Sequence, residues 1–234
     1  MTSIRSTRVN LTTHGLDRLA VDPTRRLMFC AIEKCAQSLQ LTLLRALAGR
    51  PKPQWPFDMA PNAHGADAAA VASWIFNDDS WTRVVVFRDP VERFVSAYNS
   101  KCRLQDADGK QHCNRLFQIK QADITVDSVL DALEDPIRRV KAYTDFHWRP
   151  QSWACGGIHR FVDRFRTVPF SNLQAGLCEI IDCKNLTSLF ERRYGVDRHI
   201  TNASANALTR LQVLRVRQFY RFDEAFFADK GIRV

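Results

Sequence analysis

A chain of 234 residues, 45 % hydrophobic and 25 % charged, is sized and composed for one globular domain. It holds no apolar run near the ~18 residues a membrane span needs. Its 34 Lys and Arg against 25 Asp and Glu leave a charge of +9, which favours anionic partners: phosphorylated or sulfated ligands, nucleic acid or acidic membrane surfaces. The charges are spread out with no dense Lys/Arg block, which tells against nucleic acid, and a solvated basic surface explains the surplus equally well.

Residues 1–25 are polar and mixed and read as a loosely attached arm, with residues 26–234 as a single domain. No signal-peptide core appears in the first twenty residues. Residues 27–32 (Leu-Met-Phe-Cys-Ala-Ile) form a short apolar run, a buried strand. Leu39, Leu43, Leu44 and Leu47 give residues 38–48 helical spacing. Four prolines between 51 and 61 make a loop, and residues 66–76 are Ala-rich and helical. Val84–Phe87 is a second buried strand. Asp89-Pro90 then opens a helix, with the carboxylate as cap and Pro in the first turn. Residues 103–123 read as a polar surface loop and residues 124–133 as a helix capped near Thr125 or Asp127. A third strand is predicted around Phe165–Phe170, and residues 205–219 make a basic amphipathic helix. Strands alternating with helices imply a parallel α/β sheet.

The seven cysteines include no CxxC pair, so a zinc site is not expected, and no metal-spaced cluster is visible. Cys102/Cys113 and Cys178/Cys183 are each spaced to close a short loop, although free, partly buried thiols are slightly favoured. Sequons at Asn10, Asn185 and Asn202 hint faintly at secretion.

Two segments carry chemistry. In residues 27–44 a strand leads through a loop into a helix, whose N-terminus presents unpaired N–H groups and the positive end of its dipole. Lys34 adds a charge and Ser38 a hydroxyl, making an anion cradle without Walker A glycines. In residues 84–98, VVVFRDPVERFVSAY, Arg88 stands at the carboxyl end of a buried strand, where ligands of open α/β sheets bind, and Ser96 lies two turns into the next helix. Arg88 paired structurally with Asp89 or Glu92 is the plainer reading.

Together the two segments resemble the binding motifs for 3′-phosphoadenosine-5′-phosphosulfate (PAPS) in the sulfotransferase superfamily. The branch is family 2, the Golgi carbohydrate sulfotransferases and their bacterial relatives. Ile32-Glu33-Lys34-Cys35-Ala36-Gln37-Ser38-Leu39 matches the first motif, with Glu33 in place of the usual Pro and Gln37 in place of a small residue or Cys. Arg88, Asp89, Pro90, Arg93, Ser96 and Tyr98 match the second. Residues 145–165 resemble the Asp-x-His-x-x-Pro-Gln segment and residues 220–226 the closing Tyr-x-x-Asp-x-x-Phe, so the likeness covers residues 27–227.

The resemblance implies an α/β, P-loop-like three-layer fold with a central parallel sheet flanked by helices. It implies sulfuryl transfer from PAPS to a hydroxyl, carbohydrate favoured, by in-line displacement with release of adenosine 3′,5′-bisphosphate (PAP) and with no metal required. Lys34, Cys35, Ala36, Gln37, Ser38 and Leu39 would hold the phosphosulfate, while Arg88 and Ser96 would grip the 3′-phosphate. Lys34 would also neutralise the leaving oxygen. His64, between the two motifs, is the first choice for general base, with Asp67 to orient it, and His147 is the second. Trp55, Trp74, Trp148 and Arg149 are candidates for the acceptor pocket, with at least two of the tryptophans expected in the core. A polysaccharide, a glycolipid or other lipid, a sterol, an alkaloid and a peptide tyrosine are all open as acceptors. Alternatives are an inactive nucleotide binder, for which Glu33 and Gln37 speak, a Walker-type kinase, and a nucleic-acid binder resting on Arg210, Arg215, Arg217 and Arg221. Compartment reads as cytosolic for a complete chain and Golgi lumen for a trimmed one.

Overall fold

The computed structural model describes residues 19–47, 75–103, 107–183 and 208–234. His64, Asp67, Trp55, Trp74, the Pro-rich loop and most of the 66–76 helix lie outside the described residues, although residues 75–77 are helical.

Four strands make one sheet in the order β1 (Leu19–Asp22), β2 (Leu27–Cys30), β3 (Thr82–Phe87), β4 (Arg166–Pro169). The last three are parallel, with Cys30 level with Val85 and Phe87 level with Pro169. β1 pairs antiparallel with β2. The arm read over residues 1–25 therefore needs correction from Leu19 onward. Three apolar residues there are enough to extend the sheet edge, and Asp22 closes the turn by accepting from the Arg25 N–H. β2 and β3 are buried throughout or nearly so, as parallel strands covered on both faces must be. The α/β class and largely parallel sheet are as the sequence implied.

Helix α1 (Gln37–Leu47) follows β2 and buries Leu39, Leu41, Leu43 and Leu44 in the sheet's core. Helix α2 (Pro90–Tyr98) follows β3, with Pro90 in its first turn and the Asp89 carboxylate accepting from the N–H groups of Val91 and Glu92. It runs into a π-helical turn over Asn99–Arg103, a distortion often found at functional sites. The polar loop expected over 103–123 is corrected to helix α3 (Ala107–Phe117). Its apolar stripe is narrow, and among its described side chains Cys113 and Phe117, one turn apart, are the fully buried ones.

Helix α4 (Val126–Glu134) starts at a Thr125–Ser128 capping box, and α5 (Pro136–Thr144), which the sequence reading left unassigned, starts at Asp135. Helix α6 (Leu173–Cys178) packs behind β4. Thr209 and Gln212 form the capping box that begins α7 (Arg210–Phe219), so the basic helix starts five residues later than expected. Helix α8 (Arg221–Lys230) ends at Gly231, whose φ of 62° suits a residue without Cβ. Side chains of α2, α3, α4 and α7 build a second core around the fully buried Trp148, Phe94 and Phe117.

Six of the seven cysteines are paired: Cys30 with Cys155, Cys102 with Cys113, and Cys178 with Cys183. The free-thiol reading is thus corrected, and only Cys35 remains a thiol. Cys30–Cys155 fastens the end of β2 to the segment beyond Gln151, beside both candidate loops.

Candidate functional site

β2 and β3 are parallel neighbours, so their carboxyl ends release the two motif loops side by side. In the first loop Lys34 and Ala36 take φ of 66° and 59°, left-handed values that are unusual for residues with a Cβ. Each costs on the order of 1–2 kcal/mol, which the surroundings must offset. Alternating left- and right-handed backbone turns successive N–H groups toward one concavity, and the first turn of α1 adds its own unpaired N–H groups. The Cys35 carbonyl accepts from Gln40 Nε2 at 2.7 Å, which locks the loop onto the helix.

The side chains of this loop divide between core and site. Cys35 is buried, donating to Gln151 Oε1 at 3.1 Å, and burial pushes its thiol pKa up to about 11. Leu39 belongs to the core, so both offer a ligand only their backbone. Ser38 is exposed at the helix start. Gln37 is buried at the start of α1, and its Nε2 is a donor without a hydrogen-bond partner. Lys34 reaches across to Ser100 in the π turn, Nζ to Oγ 2.5 Å.

In the second loop the Arg88 backbone continues β3. Its N–H donates to Gln151 Oε1 at 3.0 Å and its carbonyl accepts from Gln151 Nε2 at 2.8 Å. One amide side chain therefore does the work of a neighbouring strand. The Arg88 guanidinium stacks on Phe170 at 4.1 Å, contacts Glu92 at 3.3 Å and donates to the Lys34 carbonyl at 3.3 Å. The structural pairing with Glu92 is thus present, and Glu92 itself is half exposed. Ser96 is buried two turns into α2. Replacing Gln151 with Leu strands both Arg88 backbone groups, and the expected cost is about 2–4 kcal/mol of stability. Chemical denaturation checks it.

Arg93, fully buried, is the hub between the motifs. It donates to the carbonyls of Glu33 at 3.0 Å, Arg149 at 2.9 Å and Phe146 at 3.2 Å. The Glu33–Lys34 turn and the 145–151 segment are thereby fixed to one guanidinium. Asp223 finishes the frame from α8, accepting from the N–H groups of Gln151 and Ser152 and from the Ser152 hydroxyl, each at 2.8 Å. Burial pushes its carboxyl pKa up, against those hydrogen bonds and the nearby Arg93 charge.

His147 follows Phe146, whose carbonyl shares the Arg93 guanidinium with that of Glu33. Its backbone N–H donates to Asp145 Oδ1 at 2.8 Å, and its Nδ1 lies 3.1 Å from the same oxygen. Burial lowers the His147 pKa, with Asp145 and Glu33 opposing. Burial alone would raise Asp145, but its histidine neighbours hold it well below the usual carboxylate range. His112 Nε2 stands 3.2 Å from Asp145 Oδ2. A cluster of metal-ligating side chains, unseen in the sequence, is thus assembled from residues 33 positions apart in the chain, counted from His112 to Asp145.

Other expected site residues are placed elsewhere. Trp148 is core, between Phe94 and Phe117, rather than pocket lining. Arg149 covers the Phe146 ring at 4.6 Å. On the basic helix, Arg215 is paired with Asp131 and Glu134, and Arg217 with Glu224 and Asp89, so two of the four arginines behind the nucleic-acid reading are neutralised within the fold. No described helix is long and apolar enough to cross a membrane. Ser100, Phe170 and His112 were missed, because each meets the site through the fold alone.

No curated protein and no solved structure gave a match. The model of the sulfotransferase family matches residues 17–228, which include β1, both motif loops, the Arg93 hub and Asp223. With that span covered, the chain belongs to the sulfotransferase family.

Proposed function

We propose that this protein moves a sulfuryl group from PAPS to an acceptor hydroxyl, and that PAP leaves from the cradle between the two motif loops. The observation that carries this reading is the left-handed pair Lys34 and Ala36 at the start of α1, held beside Arg88 at the end of β3. Strained non-glycine backbone persists where function selects it, and here it faces a helix N-terminus with two cations at hand. PAPS supplies the activated sulfuryl group. Backbone N–H groups of residues 34–39, the Ser38 hydroxyl and the Gln37 amide hold its phosphosulfate end. Arg88 and Ser96 take the 3′-phosphate, Arg88 by the forked contact that suits phosphate. Lys34 neutralises charge on the departing oxygen.

His147 accepts the acceptor's proton at Nε2, because Asp145 engages Nδ1 and so fixes the proton there. His64 lies outside the described residues. A carbohydrate hydroxyl is the favoured acceptor on the resemblance to the carbohydrate branch. Sulfate transfer from radiolabelled PAPS to a panel of glycans, sterols and phenols tests the reading. His147→Ala is expected to lower turnover about 10²- to 10⁴-fold, the range for losing a general base, with PAP affinity retained. Unchanged turnover removes His147 from the mechanism, and no transfer to any acceptor removes the enzyme reading.

A further inference from the structure

The His112–Asp145–His147 cluster has a donor set that a general base does not require. His112 comes from α3, Asp145 ends α5, and His147 follows two residues later. One ligand atom from each lies within 4.8 Å of the others, and the two imidazole rings meet edge to face at 5.2 Å. The contacts His147 Nδ1 to Oδ1 and His112 Nε2 to Oδ2 are 3.1 and 3.2 Å. Ligands about 2.0–2.2 Å from a tetrahedral zinc ion stand roughly 3.3 Å apart, so each imidazole nitrogen sits near ligating separation from a carboxylate oxygen, within a set that spans up to 4.8 Å.

A second observation concerns direction. His112 Nε2 is sealed from solvent yet makes no hydrogen bond, although Asp145 Oδ2 is only 3.2 Å away. Nitrogen and oxygen are close without lying along a common N–H···O line. Two donors converging on a third point have this geometry. An asparagine or water would serve a simple positioning role with less, whereas two imidazoles and a carboxylate are the preferred set of a first-row divalent ion.

We propose that His112, Asp145 and His147 bind a first-row divalent metal ion of the zinc class. The three protein ligands leave a fourth position open. Mg²⁺ and Ca²⁺, which seek oxygen ligands, are not the fit. His112 is fastened for this task, because Cys113 beside it is disulfide-bonded to Cys102 in the π turn that carries Ser100. A neutral imidazole carries one ring proton, so when the ion takes the Nδ1 lone pair of His147 that proton moves from Nδ1 to Nε2. That nitrogen then has no lone pair for an acceptor hydroxyl, so occupancy stops turnover. The inhibitory consequence rests on the sulfotransferase reading, whereas metal binding does not.

Protein stripped with a chelator is titrated with Zn²⁺ by calorimetry and with Co²⁺ by visible absorption. Wild type is expected to bind one ion at this cluster, with the intense bands of four-coordinate cobalt. Asp145→Asn and His112→Ala are expected to weaken binding about 100-fold or more, while His159→Ala binds as wild type. Should the His112→Ala chain not fold, His112→Gln replaces it, with circular dichroism as the check. No saturable binding in wild type, or equal binding in the Asp145 and His112 variants, overturns the site. Zinc that binds at the cluster without slowing sulfate transfer overturns the role of His147 as base and leaves the site standing.

Discussion

Lys34→Ala is expected to slow sulfuryl transfer about 10²- to 10³-fold, the usual cost of removing one preorganised charge-stabilising group. The same substitution weakens PAP binding by about tenfold or less. The difference arises because the ammonium matters most when charge builds on the leaving oxygen, while the backbone cradle holds the ground state. Alanine suits this test physically. The φ of 66° at position 34 is set by the loop and is no easier for Lys than for Ala, so the substitution removes the charge and leaves the strain in place. Single-turnover rates with PAPS and calorimetry with PAP separate the two effects. Equal losses in rate and affinity would mean that Lys34 only binds.

Arg93→Met is expected to cost about 3–5 kcal/mol of folding stability, the range for breaking a buried charge network from one side. Methionine keeps the apolar part of the side chain and deletes the donors. The carbonyls of Glu33, Phe146 and Arg149 then lose their partner, and the buried Asp223 carboxylate loses its nearby positive charge. The carbonyls of Glu33 and Phe146, which precede Lys34 and His147, are both held by this guanidinium, so nucleotide affinity should fall with stability. Urea denaturation reads the effect as a lower midpoint at unchanged slope. A loss under about 1 kcal/mol would mean that the three carbonyls find other donors and that Arg93 does not frame the site.

The features legible in the sequence are the local ones. Asp89 and Pro90 announce the start of α2 because a cap and a first-turn proline act within four residues. The buried strands ending at Cys30 and Phe87 announce the two loops, since continuous apolar runs need a covered sheet. The motif from Arg88 to Tyr98 carries the family likeness, and the family model agrees. Helix α3 stayed hidden because Cys113 and Phe117 give it too narrow an apolar stripe to outweigh its polar residues. The Cys30–Cys155 disulfide spans 125 residues, beyond any spacing argument, whereas the two short pairs were at least visible. His112 reaches Asp145 only when α3 folds against the π turn, which is why neither a metal cluster nor the Ser100 contact of Lys34 was foreseen. Trp148 is a candidate for the acceptor pocket in the sequence because an aromatic face suits a sugar or a sterol. Burial of its ring between two phenylalanines is a tertiary fact.

The nucleotide site is the claim on which the rest depends, and PAP titration by calorimetry tests it most directly. Saturable one-to-one binding is the expected result, weakened about 10- to 100-fold by Arg88→Ala, the loss of one charged phosphate contact. The absence of binding at high micromolar PAP, or binding indifferent to Arg88, would contradict the placement of the nucleotide between β2 and β3.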